Sequence, residues 1–335
     1  WVMNKDNMLL YASICFLIFK RDKSIGFVLL GLWLVMNIGL VMSLLGSLSG
    51  YLLPLTLLII GIVLFWFAKR IMKRSIEDTP IVFIGAGNLA TNLAKALYRK
   101  GFRIVQVYSR TMESARTLAE KVEAEYTTDL QAVSKDAKLY IVSLKDDALV
   151  DLLPQITEGK QASLLVHTAG SIPMSVWEGH AERYGVFYPM QTFSKQREVK
   201  FQEVPFFVEA KRPEDVELLK AVAATLSEKV YEASSEQRKS LHLAAVFICN
   251  FTNHMYALAA DLLEKYNLPF DVMLPLIDET ARKVHELAPR DAQTGPAVRY
   301  DENVMSNHLA MLVDSPALQE IYKLMSKSIH EHHQL

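Results

Sequence analysis

The sequence predicts an α/β protein in three parts: two transmembrane helices, a doubly wound parallel sheet, and an all-helical C-terminal domain. Three observations carry this reading. Two long uncharged stretches lie before residue 70. From Pro80 onward, short β-rich runs alternate with helical patterns, as in successive strand–helix units. After about residue 233 the strand signals stop and long apolar helical patterns take over. The expected boundaries are 1–75 for the membrane segment, 78–233 for the sheet domain and 234–335 for the helical domain.

The membrane prediction comes from Ile25 to Leu48 and Tyr51 to Ala68, which contain no Asp, Glu, Lys, Arg or His. Each is close to the length of about 20 residues that a spanning helix needs. Lys20, Arg21 and Lys23 precede the pair, and Lys69, Arg70, Lys73 and Arg74 follow it. Basic flanks at both ends put both ends, and the domains that follow, in the cytoplasm. A lipid bilayer is therefore an expected partner. The absence of an ionisable group inside the spans argues against transport. The chain begins with Trp1, and Met72 opens "MKRSIEDTPIVFIGAGN", which reads as an alternative start of a soluble, cytoplasmic protein.

The rest has ordinary composition. Lys and Arg total 36 against 37 Asp and Glu, for a net charge of -1. There is no basic stripe of the kind that nucleic-acid binders carry. Two cysteines, Cys15 and Cys249, form neither a disulfide framework nor a metal-binding spacing. No metal site is expected, and the terminal "HEHHQL" reads as a solvated tail.

"PIVFIGAGNLATNLAKALYRKG" opens the sheet domain. A β-rich run ends at Gly85, and Leu89, Leu93, Ala96 and Leu97 follow at helical spacing until Gly101. Gly85-Ala86-Gly87-Asn88-Leu89-Ala90 thus lies between a strand and a helix, where a dinucleotide fingerprint belongs. Gly85 suits the tight turn and Gly87 lets the backbone approach a pyrophosphate. Ala90 stands for the third glycine and still permits close packing. The second strand, "FRIVQVYSRT", ends in Ser109, Arg110 and Thr111 rather than in Asp or Glu. A guanidinium between two hydroxyls suits a 2′-phosphate, so the expected cofactor is NADP. Such a charge-assisted pair is worth about 1.5–3 kcal/mol, or one to two decades of preference over NAD.

"AKLYIVSL" reads as the next strand, with Ser143 and Leu144 at its carboxyl end. "KDDALVDLLPQI" is the helix after it, Asp146 and Asp147 forming its first turn. "ASLLVHTAGS" is a further strand ending at His167 and Thr168, and "GVFYPMQTF" and "VPFFVEA" follow. Ligands of such sheets bind at the carboxyl ends of the strands.

In the helical domain, Leu241 to Tyr266 reads as one long apolar helix. His242, Asn250, Asn253 and His254 interrupt it within an arc of about 120° at 100° per residue. That strip could line a cleft or form core and dimer contacts, and the apolar length predicts a homodimer through this domain. "TGPAVRYD" follows, with Arg299 and Asp301 after a Gly-Pro turn.

"FIGAGNLATNLAKAL", "HTAGSIP", "YPMQTFS", "AAVFICNFTNHMYALA" and "TGPAVRYD", in this order, resemble the Rossmann-like, DUF2520-containing proteins over about residues 78 to 330. Their wider superfamily is similar to pyrroline-5-carboxylate reductase and the F420-dependent NADP oxidoreductases. The resemblance implies NADP binding and a helical dimerising C-terminal domain. Two departures stand out: Tyr188 where His-Pro is expected, and Tyr300 where Arg-Gly-Asp is expected. A membrane hairpin is not a usual part of the family.

The expected function is NADP(H)-dependent reduction of a small carbonyl or imine substrate. His167 and His254 are the candidate proton donors, and Asn250 and Arg299 the candidate substrate ligands. The alternative is a non-catalytic, membrane-tethered NADP sensor.

Overall fold

The computed structural model describes residues 60–66 and 78–334. Residues 60–66 are helical. The remainder of the expected spans at 25–48 and 51–68 lies outside the described residues. Among the described residues one helix, Ser235–Glu264, is long and apolar enough to cross a membrane by length and composition. The chain divides into two compact units between His242 and Leu243, inside that helix and nine residues beyond the boundary expected from sequence.

The first unit is built on eight strands. They are β1 (Ile81–Ile84), β2 (Ile104–Tyr108), β3 (Glu125–Thr127), β4 (Leu139–Val142), β5 (Leu164–His167), β6 (Arg183–Pro189), β7 (Phe206–Ala210) and β8 (Val230–Glu232). They form one sheet in the order β3-β2-β1-β4-β5-β6-β7-β8. The first six strands run parallel. β7 pairs antiparallel to β6, and β8 is parallel to β7. The sheet is therefore parallel-dominated rather than wholly parallel. The reason is the connection: residues 190–205 hold only a 3-10 turn, Phe201–Glu203, whereas a parallel return needs a helical crossover.

The helices of this unit are α1 (Asn88–Arg99), α2 (Met112–Lys121), α3 (Asp146–Thr157) and α4 (Pro213–Ala224), and α5 (Ser235–Ala245) leads out of it. All four residues of β1 are fully buried. Such a continuous apolar run is what a central strand covered on both faces needs. Successive side chains go to opposite faces. Ile81 and Phe83 join the core that contains Leu93 and Leu97 of α1 and Leu219 of α4. Val82 and Ile84 join the second core, with Leu149, Leu153 and Ile156 of α3 and Trp177. Burying each leucine contributes about 1.5–3 kcal/mol.

α1 ends as its sequence suggests. The Gly101 amide bonds to the Tyr98 carbonyl and the Phe102 amide to the Leu97 carbonyl. Gly101 sits at φ 93°, the left-handed residue that this terminator requires.

The second unit is helical: α6 (Thr252–Glu264), α7 (Leu274–Glu286), α8 (Pro289–Ala292), α9 (Pro296–Arg299), α10 (Glu302–Met311) and α11 (Pro316–Gln334). A π-helical segment, Val246–Phe251, precedes α6. It breaks the 100° periodicity on which the single polar arc of His242, Asn250, Asn253 and His254 was expected, because π turns bond i to i+5. Among the described residues of this unit only Ala297 and Leu312 are buried hydrophobics. Phe247, Ile248, Val272, Leu276 and Leu324 all stand exposed.

Candidate functional site

The site starts at the carboxyl end of β1. Gly85 has φ 119°, and a Cβ there would lie 2.1 Å from the Ser143 carbonyl oxygen. Only glycine lets the turn close against β4. Its amide bonds to the Tyr108 carbonyl at 2.8 Å, and the Ser143 amide bonds to the Ile84 carbonyl at 2.8 Å. The ends of β2, β1 and β4 are thus tied together. Gly87 differs: it is exposed, and a Cβ on it would meet nothing within 4 Å. That open space lies at the N-cap of α1, where no side chain caps the helix and no acid occupies the first turn. Free amides and the positive end of the helix dipole face it. Ala86 and Ala90 are buried, Asn88 is exposed and Leu89 is half-buried. The arrangement fits a dinucleotide pyrophosphate, with Ala90 packed tightly enough to bring the helix onto the sheet.

At the end of β2, Ser109 is half-buried and Arg110 and Thr111 are exposed. Arg110 has no ion-pair partner among the described residues, so its guanidinium is open to an anion at the ribose end of a dinucleotide. Ser143 and Leu144 are half-buried beyond β4, on the other side of β1. The residues that could hold the cofactor therefore share one edge.

His167, at the end of β5, is fully buried and stacks on Trp177 with ring centroids 6.1 Å apart. Its Nδ1 accepts from the Ala169 amide at 3.2 Å, which leaves the proton on Nε2. Burial pushes its pKa down to about 3. The Arg238 charge adds to the shift, and the Pro173 carbonyl opposes it. Nε2 nevertheless makes no hydrogen bond of normal geometry. A buried imidazole that stays neutral is badly placed to supply protons near neutrality, so the geometry argues against His167 as a proton donor.

Three side chains gather behind this loop. Arg238 of α5 is 1% exposed; its Nη1 donates to Glu209 at 2.5 Å and its Nη2 to the Ile172 carbonyl at 2.5 Å. The Ser235 hydroxyl donates to Glu209 at 2.8 Å and accepts from the Met174 amide at 2.8 Å. This network fastens the start of α5 to β7 and to the segment after β5. One turn further along, His242 Nδ1 lies 3.3 Å from the Tyr188 hydroxyl, and the two rings meet edge-on. His242 also presses on Gly170, where a Cβ would be 2.7 Å from Nδ1.

Sequence reasoning placed neither Tyr188 nor His242 in the site, although both were visible. Tyr188 is one of the two departures from the family pattern, and His242 is one of the polar interruptions of the long helix. Arg238 and Glu209 gave no signal, because their separation of 29 residues hides the pairing.

The other candidates fall in the second unit. Asn250 lies in the π segment, His254 one turn later in α6, and Arg299 at the end of α9; all three are exposed. No described contact joins these three to one another, and His167 belongs to the first unit. Among the described residues no group of three His, Cys, Asp or Glu side chains could hold a metal.

These features, a dinucleotide-type turn on a parallel-dominated sheet followed by a helical unit, define a Rossmann-like nucleotide-binding protein. Residues 80–170 match the family described as NADP oxidoreductase coenzyme F420-dependent, and residues 204–329 match the domain of unknown function DUF2520. A solved structure of BF3122 from Bacteroides fragilis, named as a candidate NADP oxidoreductase, is 77% identical. That match covers 76% of this chain and 99% of that one, with a TM-score of 0.75. The chain belongs to this DUF2520-containing, NADP oxidoreductase-like family. The same fold recurs in protein TM1727 of Thermotoga maritima, at 21% identity, 75% and 99% coverage and a TM-score of 0.59. It recurs also in an imine reductase of Myxococcus stipitatus in complex with NADP+, at 18% identity, 75% and 93% coverage and a TM-score of 0.57. No curated protein matches the chain in sequence.

Proposed function

We propose that the chain is an NADP(H)-dependent oxidoreductase that reduces a small carbonyl or imine. The observation that carries the reading is the open space at Gly87, in front of the uncapped amides of α1, with Arg110 at the end of the neighbouring strand. In this reading Gly85 to Ala90 hold the pyrophosphate and Ser109, Arg110 and Thr111 hold the 2′-phosphate. Ser143, Leu144 and Thr168 flank the reactive end. NADPH, when bound, supplies the hydride; the protein orients the substrate, excludes water and delivers a proton. Kinship with a family of NADP oxidoreductases favours chemistry over a membrane-tethered sensor.

Calorimetric titration with NADPH and NADH tests the cofactor. NADPH is expected to bind tightly and NADH about ten- to a hundredfold more weakly, the value of one Arg–phosphate pair. Arg110→Ala should remove that difference by weakening NADPH alone. Failure of both dinucleotides to bind would overturn the reading.

The second unit's exposed apolar side chains support a homodimer. A 93-residue helical unit with Ala297 and Leu312 as its buried hydrophobics needs a second surface to cover it. A second copy of the same unit supplies one through a symmetric contact.

A further inference from the structure

We infer that Tyr188 and His242 are the proton-delivering pair of this site: Tyr188 is the donor to the substrate heteroatom, and His242 positions and recharges it. The inference rests on the reductive reading above.

The pair lies at the right place along the sheet edge. The order β2-β1-β4-β5-β6 lays five carboxyl ends side by side, at about 4.8 Å per strand. Arg110 follows β2, Gly87 follows β1, Ser143 follows β4 and Thr168 follows β5. A dinucleotide that enters at Arg110 and crosses Gly87 has its reactive end toward β4 and β5. The next strand is β6, and Tyr188 is its penultimate residue.

The contacts of Tyr188 point the same way. Tyr184, four residues earlier on the same face, belongs to a hydrophobic core. Tyr188 is 8% exposed and lies outside the two packed clusters. Its ring leans on Phe207 of β7, and its hydroxyl reaches His242. His242 is kept there by Gly170, which has no side chain to displace it, and by the Arg238 clamp one turn earlier. Two charges of this unit are already engaged, Arg238 by Glu209 and Asp146 by the Ser171 hydroxyl.

The chemistry balances. A phenol can donate its proton to a developing nitrogen or oxygen anion, and an imidazole can hand a proton on to the phenolate. The substrate carbon takes hydride from the reduced nicotinamide, and the π electrons of its C=N or C=O bond form a new N–H or O–H bond with the Tyr188 proton. The Tyr188 O–H bond breaks, and the phenolate takes a proton from the His242 imidazolium, which solvent restores. One NADPH and one proton are consumed for each bond reduced.

The test is nitrogen NMR of the full chain with 15N-labelled histidine, saturated first with NADPH and then with NADP+. His242→Gln assigns the His242 ring signals. If the pair faces the reacting centre, these signals differ between the two complexes, because oxidation places a positive charge on the nicotinamide. Tyr188→Phe and Gly170→Ala should each bind NADPH as the wild-type chain does while displacing the His242 signals. His242 signals identical in two saturated complexes would overturn the inference and leave cofactor binding intact. Failure of either dinucleotide to bind would instead overturn the reading on which it rests, and the inference with it.

Discussion

The Cα of Gly85 faces the carbonyl of Ser143 so closely that a Cβ would stand 2.1 Å from that oxygen. Two residues on, a Cβ added to Gly87 would meet nothing within 4 Å. Two glycines of one motif therefore answer different demands. Gly85→Ala should lower stability by about 1–3 kcal/mol, since it combines a clash with a left-handed backbone at φ 119°. Gly87→Ala should leave the melting temperature unchanged and still weaken NADPH binding. Paired thermal melts and titrations check both; equal melting temperatures for the two variants would refute the distinction.

His167 should make the protein acid-labile. Its folded pKa is lowered to about 3 from an ordinary 6.5. Between those values the unfolded chain binds a proton that the folded chain does not. Stability is therefore full above about pH 6.5 and falls as pH drops toward 3, by at most about 1.4 kcal/mol per pH unit. His167→Gln should flatten this limb in urea melts across pH 4 to 7. An unchanged slope would show that other groups govern it.

Tyr300 occupies a left-handed backbone position at φ 53°, closing α9. Its ring sits 4.4 Å from that of His330 and helps line an open cavity of about 600 Å³ with Met305, Leu309 and Tyr322. A glycine at this place would suit the backbone; tyrosine accepts a cost of about 1–2 kcal/mol and gains a tilted ring contact with His330. Tyr300→Ala keeps the cost and loses the ring, so it should be less stable than Tyr300→Gly by about 1 kcal/mol. Equal melting temperatures would mean that the turn relaxes in the variants.

The homodimer predicts a concentration dependence. Melting temperature should rise with protein concentration, as it does whenever folding is linked to association. Phe247→Asp and Ile248→Asp, at side chains 60% and 69% exposed, should shift sedimentation toward monomer. A wild-type chain that sediments as a monomer at all concentrations would overturn the proposal.

Much of the sheet domain was legible because its signals are local. The fingerprint glycines, the apolar face of α1 and the terminator at Gly101 each arise from residues a few positions apart. The reversal of β7 was not legible. It depends on the lack of a helix between Pro189 and Phe206, and strand patterns carry no direction. The polar side chains around the strand ends were less legible for the same reason. His167 looked like a proton donor from its place at a strand end; its burial against Trp177, ten residues on, and the influence of Arg238, from a distant helix, show only in three dimensions. The Tyr188–His242 contact spans 54 residues and shows only in three dimensions. The π segment at Val246–Phe251 undid an angular argument that assumed a regular helix.

The two ends of the sheet carry a further consequence. β3 and β8 are three residues each, and Glu125, Tyr126, Tyr231 and Glu232 on them are exposed. So short a rim, marked by carboxylates, gives a foreign strand little ladder to extend. Among the described residues, edge-to-edge strand addition therefore finds only three-residue templates at either side of the sheet.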